Sequence, residues 1–130
     1  MDQTGSSRKD KVVLIVDDNE DAVTILGRLL EIKGFSANAC HSGQAAFELA
    51  DRLHPAAAVL DLAMPGMDGY TLCGKLREQE WGQSMLIIAL SGYSGAIEVE
   101  KSKRAGFDEH LTKPLDLGTL IAMLDKKIIT

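Results

Sequence analysis

Short apolar runs and amphipathic stretches take turns along this chain, five of each, and the alternation sets the first expectations. The run KVVLIVDD (residues 11–18) is too short for a helix and rich in β-branched residues. It predicts a strand buried on both faces, with acids starting where it stops. Ala22, Ile25, Leu26, Leu29 and Leu30 then recur at helical spacing, with Gly34 placed to end the helix. FSANAC (residues 35–40) predicts a second strand, and SGQAAFELADRLH a helix capped by Ser42 with a stripe of Ala46, Leu49, Ala50 and Leu53. The cycle continues with strand AAAVLDL, loop AMPGMDG, a helix to about Glu80 and strand MLIIALS. It ends with a polar helix over residues 95–105, strand EHLT, and a helix presenting Leu117, Leu120, Ile121, Leu124 and Ile128. Such alternation implies a parallel sheet covered on both faces, a three-layer α/β domain. The helix over 95–105 has the weakest apolar stripe, which suits a solvated surface helix or a loosely held element that can shift.

Composition narrows the class without changing the fold. At 130 residues, 45% hydrophobic and 25% charged, the chain is one ordinary globular domain. Residues 1–10 form a polar leader expected to be mobile, leaving residues 11–130 as the domain. No apolar run is long enough for a membrane span and no targeting segment is visible, so a cytoplasmic location is expected. A net charge of −5 argues against gripping nucleic acid as the main activity. Cys40 and Cys73 are too far apart for a paired redox or zinc motif and fit small packing residues in a reducing compartment.

The chemistry gathers where the predicted strands end. Open parallel sheets bind ligands beyond the carboxyl ends of their strands. There this chain places Asp17 and Asp18, Asp61, Ser91 and, past the last strand, Lys113. Three carboxylates held together repel, so the set calls for a hard divalent cation such as Mg²⁺, with Lys113 as a second positive charge. Each residue has a plainer role open to it. Asp18 or Asn19 could cap the first helix, Ser91 could be a turn serine and Lys113 a surface lysine; Asp68 and Asp116 are read as N-caps. Capping needs one acid, however, and explains neither the Asp17–Asp18 pair nor an acid ending another strand.

LIVDDNED, VLDLAMPGMDGY, ALSGY and HLTKPL, in this order, closely resemble the receiver domain of two-component response regulators, from about Val12 to Ile128. The resemblance implies a flavodoxin-like (βα)5 sandwich with a five-stranded parallel sheet in the order 2-1-3-4-5. It implies that Asp61 accepts a phosphoryl group from a phosphohistidine on a histidine kinase or phosphotransfer domain. Asp18, Asp61 and the Ala63 backbone carbonyl would coordinate Mg²⁺, with Asp17 acting largely through water. Ser91 and Lys113 would meet phosphoryl oxygens, and a cis Lys113–Pro114 bond would aim the lysine inward. Met64, Pro65, Gly66 and Gly69 would shape the loop after Asp61. Ser91 and His110 would switch together, His110 standing where many members carry Tyr or Phe, and alter the surface of the fourth helix, fifth strand and fifth helix. His110 could instead be a strand-end histidine with no switching role, and if it switches its ring could couple signalling weakly to acidity.

Rival readings are weaker. A dehalogenase-type phosphatase needs a second Asp two residues after Asp61, where this chain has Ala63, and an FMN binder needs a Ser/Thr/Gly-rich first loop rather than DDNED. A receiver-like interaction module that never takes phosphate is the alternative kept open. No turnover of a separate substrate is expected. Nothing after Thr130 suggests an effector domain, so direct DNA binding is not expected of this chain. LSGYS with AGFDEHLTKPLD looks most like receivers attached to hybrid histidine kinases, with an unidentified downstream protein partner and room for a weak homodimer.

Overall fold

Every run with strand character forms a strand: β1 (Val12–Val16), β2 (Ser36–Cys40), β3 (Ala57–Asp61), β4 (Leu86–Ser91) and β5 (Glu109–Thr112). All pair in parallel, in the order β2-β1-β3-β4-β5. The helices α1 (Glu20–Ile32), α2 (Gly43–Leu53), α3 (Gly69–Glu78), α4 (Ala96–Ala105) and α5 (Leu117–Ile128) connect them. The computed structural model describes residues 11–93 and 95–128; the leader over residues 1–10 lies outside them, as does the Ile128 side chain.

Strand alternation sorts the core into two layers. Leu14 and Val16, Ala58 and Leu60, and Ile87 and Ala89 pack with Ala46 and Ala50 of α2 and Leu72, Cys73 and Leu76 of α3. Val13 and Ile15, Ala57 and Val59, and Leu86, Ile88 and Leu90 pack with Val23 and Leu30 of α1 and Leu120 and Leu124 of α5. The connection after β1 leads to one side of that strand and the connection after β3 to the other, so the loops part at their carboxyl ends and leave a crevice there. Register brings the strand ends level: Val16 pairs with Cys40 and Leu60, Asp61 with Leu90, and Ser91 with Thr112.

The helix caps follow the sequence. Asn19, Ser42 and Asp68 side chains accept from the N–H groups of Ala22, Ala45 and Thr71, and Asp116 accepts from Thr119. Asn19 therefore caps α1 and Asp18 is released from that duty. Gly34, at φ 100°, follows the end of α1.

Three expectations are corrected. The buried face of α1 is Val23, Gly27 and Leu30, with Leu26 half-buried, whereas Ala22, Ile25 and Leu29 are exposed, Ile25 at 59%. The row of Val23, Gly27 and Leu30 faces the sheet, where Val23 and Leu30 pack with Ile15 and Val59 and a Cβ on Gly27 would make only an ordinary contact, 4.0 Å from the Ile15 side chain. Leu53 at the end of α2 is also exposed, since the chain turns away at His54, whose φ is 47°. Finally, α3 stops at Glu78 and a single 3-10 turn, Glu80–Gly82, follows. Arg77 draws that segment back, donating to the carbonyls of Gly82, Gln83 and Met85.

Candidate functional site

The carboxyl ends of β1 and β3 flank the crevice, and each places an acid in it. Asp17 and Asp61 are buried at 5% and 4% exposure, while Asp18 is exposed. One carboxylate oxygen from each of the three lies within 4.8 Å of the others. Local hydrogen bonds fix the two buried groups: Asp17 Oδ1 accepts from Asn19 N–H at 3.0 Å, and Asp61 Oδ1 from Ala63 N–H at 3.2 Å. Each acid is thus held by the backbone two residues on, at the first turn after its strand.

Lys113 enters from beyond β5. Its Nζ lies 3.3 Å from Asp17 Oδ2 and 3.5 Å from Asp61 Oδ2, so a residue 96 positions from Asp17 in sequence bridges the two buried acids. The Lys113–Pro114 peptide bond is cis. Ser91, 5% exposed at the end of β4, accepts from Tyr93 N–H through its Oγ at 2.9 Å. A cavity of about 150 Å³ joins Asp61, Ala63 and Ser91 to Tyr93, Tyr70 of α3, and Glu98 and Lys101 of α4.

The electrostatics follow from burial and from crowding of like charge. Burial, reinforced by Asp17, pushes the Asp61 carboxyl up to about 6 despite the Ala63 N–H and Lys113. Burial acts the same way on Asp17 but is outweighed by hydrogen bonds from Asn19 and Asp61 and by Lys113, so that carboxyl stays below its ordinary value. Lys113 is partly desolvated, which lowers its affinity for a proton, yet the two acids beside it push it up. One lysine does not balance three acids. The donors gathered here are oxygens, with the Ala63 backbone beside them, and such a set fits a hard cation such as Mg²⁺ rather than a softer metal.

His110 lies at the second position of β5. Its Nε2 is 3.0 Å from the Tyr93 carbonyl and its Nδ1 is 3.0 Å from the Ser102 hydroxyl of α4. Pro65 and Gly66 lie in the turn between β3 and α3, and Gly69 opens α3; a Cβ on Gly69 would meet the Asp61 carbonyl and Leu62 Cα. Met64 is buried in the α2–α3 layer. Sequence reasoning missed Ser102, Tyr70 and Lys101. A serine is the only buried residue of the polar helix α4, and that isolated small polar residue was the available signal. The Lys101 ammonium sits 4.6 Å from the centre of the Tyr70 ring, a pairing across two helices that spacing does not reveal.

Comparison with known proteins agrees over nearly the whole described chain. The family model described as the response regulator receiver domain matches residues 13–125. An uncharacterized 14.6 kDa protein from the sodA1 3' region of Leptolyngbya boryana is 35% identical over 88% of this chain and 87% of its own. The response regulator MprA of Mycobacterium avium is 33% identical over 86% of this chain but 48% of its own, so the chain spans about half the length of that relative. Among solved structures, the receiver domain of sensor histidine kinase PA1611 from Pseudomonas aeruginosa, with a magnesium ion coordinated in its active-site cleft, superposes with a TM-score of 0.84. It is 28% identical, with 92% of this chain and 98% of that one covered.

Proposed function

Since the chain belongs to the response regulator receiver domain family, we propose that it is a phosphoacceptor in a two-component phosphorelay, with Asp61 taking the phosphoryl group. The observation that supports this most directly is the gathering of a buried Asp61 with Lys113, Asp17 and Ser91 around one crevice. The donor would be a phosphohistidine on a histidine kinase or phosphotransfer domain. The likeness to the PA1611 receiver supports a relay that includes a hybrid kinase. No separate substrate is turned over, since the protein's own carboxylate is the acceptor.

Nucleophilic attack requires Asp61 as its carboxylate, aimed outward from the rigid end of β3. The Ala63 N–H holds one oxygen and leaves the other, 3.5 Å from Lys113 Nζ, facing the crevice. A carboxylate approaching a phosphoryl group brings negative charge onto negative charge, and Lys113 offsets it as it spreads over the equatorial oxygens. Mg²⁺, held by Asp18, Asp61 and the Ala63 carbonyl with Asp17 through water, would supply the remaining positive charge. Ser91 donates to a phosphoryl oxygen after leaving its bond to Tyr93. The transfer exchanges one bond to phosphorus for another: the new bond is Asp61 Oδ–P, the bond broken is the donor's N–P, and the electron pair leaves with the imidazole.

The test is intact-protein mass after incubation with acetyl phosphate and Mg²⁺. A single phosphoryl adduct is expected, absent from Asp61→Asn and absent with EDTA. No adduct, together with no Mg²⁺ binding by calorimetry, overturns the reading in favour of a phosphate-independent interaction module.

A further inference from the structure

The His110 ring bonds to two elements outside its own strand, and the chemistry of its partners dictates its protons. The Tyr93 carbonyl can only accept, so Nε2 must donate to it. The Ser102 hydroxyl donates to the Val99 carbonyl at 2.8 Å, so its oxygen can only accept from Nδ1. Ser102 is 1% exposed, which leaves little room for water to substitute. A ring with protons on both nitrogens satisfies all three contacts together. A neutral ring with its proton on Nε2 forces a choice: Ser102 gives up Val99 to donate to Nδ1, or two lone pairs face each other at 3.0 Å.

Tyr93 carries this arrangement to the site. Its carbonyl is held by His110, and its N–H is held by the Oγ of Ser91. Ser91 cannot swing toward a phosphoryl group without releasing that peptide. We propose that His110 and Ser102 form a proton-dependent latch on the β4–α4 loop, which holds Ser91 in its resting hydrogen bond and tightens when the ring is protonated. This rests on the phosphoacceptor reading of Asp61 and adds its regulation: acid opposes the phosphorylated state through a residue that touches neither phosphate nor metal.

The charged and titratable groups around the latch are otherwise engaged. From α4, Lys101 lies over the Tyr70 ring and Glu98 hydrogen-bonds Tyr70. β4 presents uncharged Ala89 opposite His110. On its own strand Glu109 alternates to the other face, and Lys113 beyond it pairs with Asp17 and Asp61. Arg104 of α4 pairs with Glu100, and His110 is the titratable side chain that hydrogen-bonds both the Tyr93 carbonyl of the loop and Ser102 of α4.

The experiment uses beryllofluoride with saturating Mg²⁺, followed by amide NMR of Gly92 and Tyr93, in wild type, His110→Phe and Ser102→Ala, at about pH 5.8 and about pH 7.8, spanning the imidazole range. The wild-type half-saturating concentration should rise toward acid by about three- to tenfold more than in either variant, as loss of a charge-assisted bond predicts. Ring-nitrogen NMR of the free protein should show the neutral His110 ring keeping its proton on Nε2. Equal pH dependence in all three proteins, or a neutral ring protonated on Nδ1, overturns the latch. If no protein takes beryllofluoride, the phosphoacceptor reading fails, while the ring spectrum still decides whether the latch contacts exist.

Discussion

Asp61 illustrates how burial writes a pH response into one residue. Its folded-state carboxyl binds a proton at about 6 against 3.8 for the free group. The folded state thus holds the proton more tightly than the unfolded one, so this contribution to stability is complete below about pH 3.8 and is lost as pH rises through about 6. Asp61→Asn removes the buried charge, and in metal-free buffer near neutral pH it should raise stability by about 1–2 kcal/mol, read by urea denaturation. Mg²⁺ needs the ionised carboxylate, so its affinity should fall about tenfold per pH unit below about pH 6, measured by calorimetry. An affinity independent of pH from 5 to 7 would contradict the burial argument. Two nearby glycines separate conformational from steric demand. Gly66 has φ 78° with open space around it, so Gly66→Ala should cost about 1 kcal/mol. Gly69→Ala drives a methyl into the backbone of Asp61 and Leu62 and should cost about 2–4 kcal/mol while displacing Asp61 itself. Thermal unfolding of the two variants checks the ordering.

Elements were legible in sequence to the extent that one periodicity excluded the other. The strands declared themselves as β-branched apolar runs, and the caps Asn19, Ser42 and Asp68 as polar residues just before amphipathic stretches. On α1 the same logic misassigned the face, because Ala22, Ile25 and Leu29 form a row as apolar as Val23, Leu26 and Leu30. Nothing in the spacing tells which of the two rows will face the sheet. Ile25→Ser should therefore change stability by less than about 0.5 kcal/mol, whereas Val23→Ala should cost about 1–3 kcal/mol, both by denaturant midpoint. The end of α3 was hidden for a different reason. Arg77 donates to the carbonyls of Gly82, Gln83, Met85 and Gly106 and to Asp108, whose Oδ2 also accepts from Ile87 N–H. One side chain thus ties α3 to the 3-10 turn, to β4 and to the turn before β5. Such long-range side-chain contacts carry no local signal. Arg77→Ala should cost about 2–4 kcal/mol, because the carbonyls it leaves behind are partly buried.

At the scale of the molecule, the site residues were legible because a parallel sheet brings strand ends together whatever lies between them. Asp17, Asp61, Ser91 and Lys113 come from separate segments yet surround one crevice. Of the contacts leading out of the site, Ser91 and His110 were named by resemblance, but the Tyr93 backbone and Ser102 that join them to the loop and α4 were not, because composition says nothing about such partners. The stability of the domain is distributed to match that path. β1, β3 and β4 are buried almost throughout, β5 is a half-buried edge strand, and α4 buries Ser102 alone while leaving Ile97 81% exposed. An element with so little apolar burial opens at low free energy, without waiting for the core. Native-state hydrogen exchange should therefore place α4 amides far below those of β1, β3 and β4, with His110→Phe lowering α4 protection further and leaving the central strands unchanged. Uniform protection across α4 and the central strands would mean that the domain opens as one unit, and an isolated shift of the α4 face would then cost as much as unfolding.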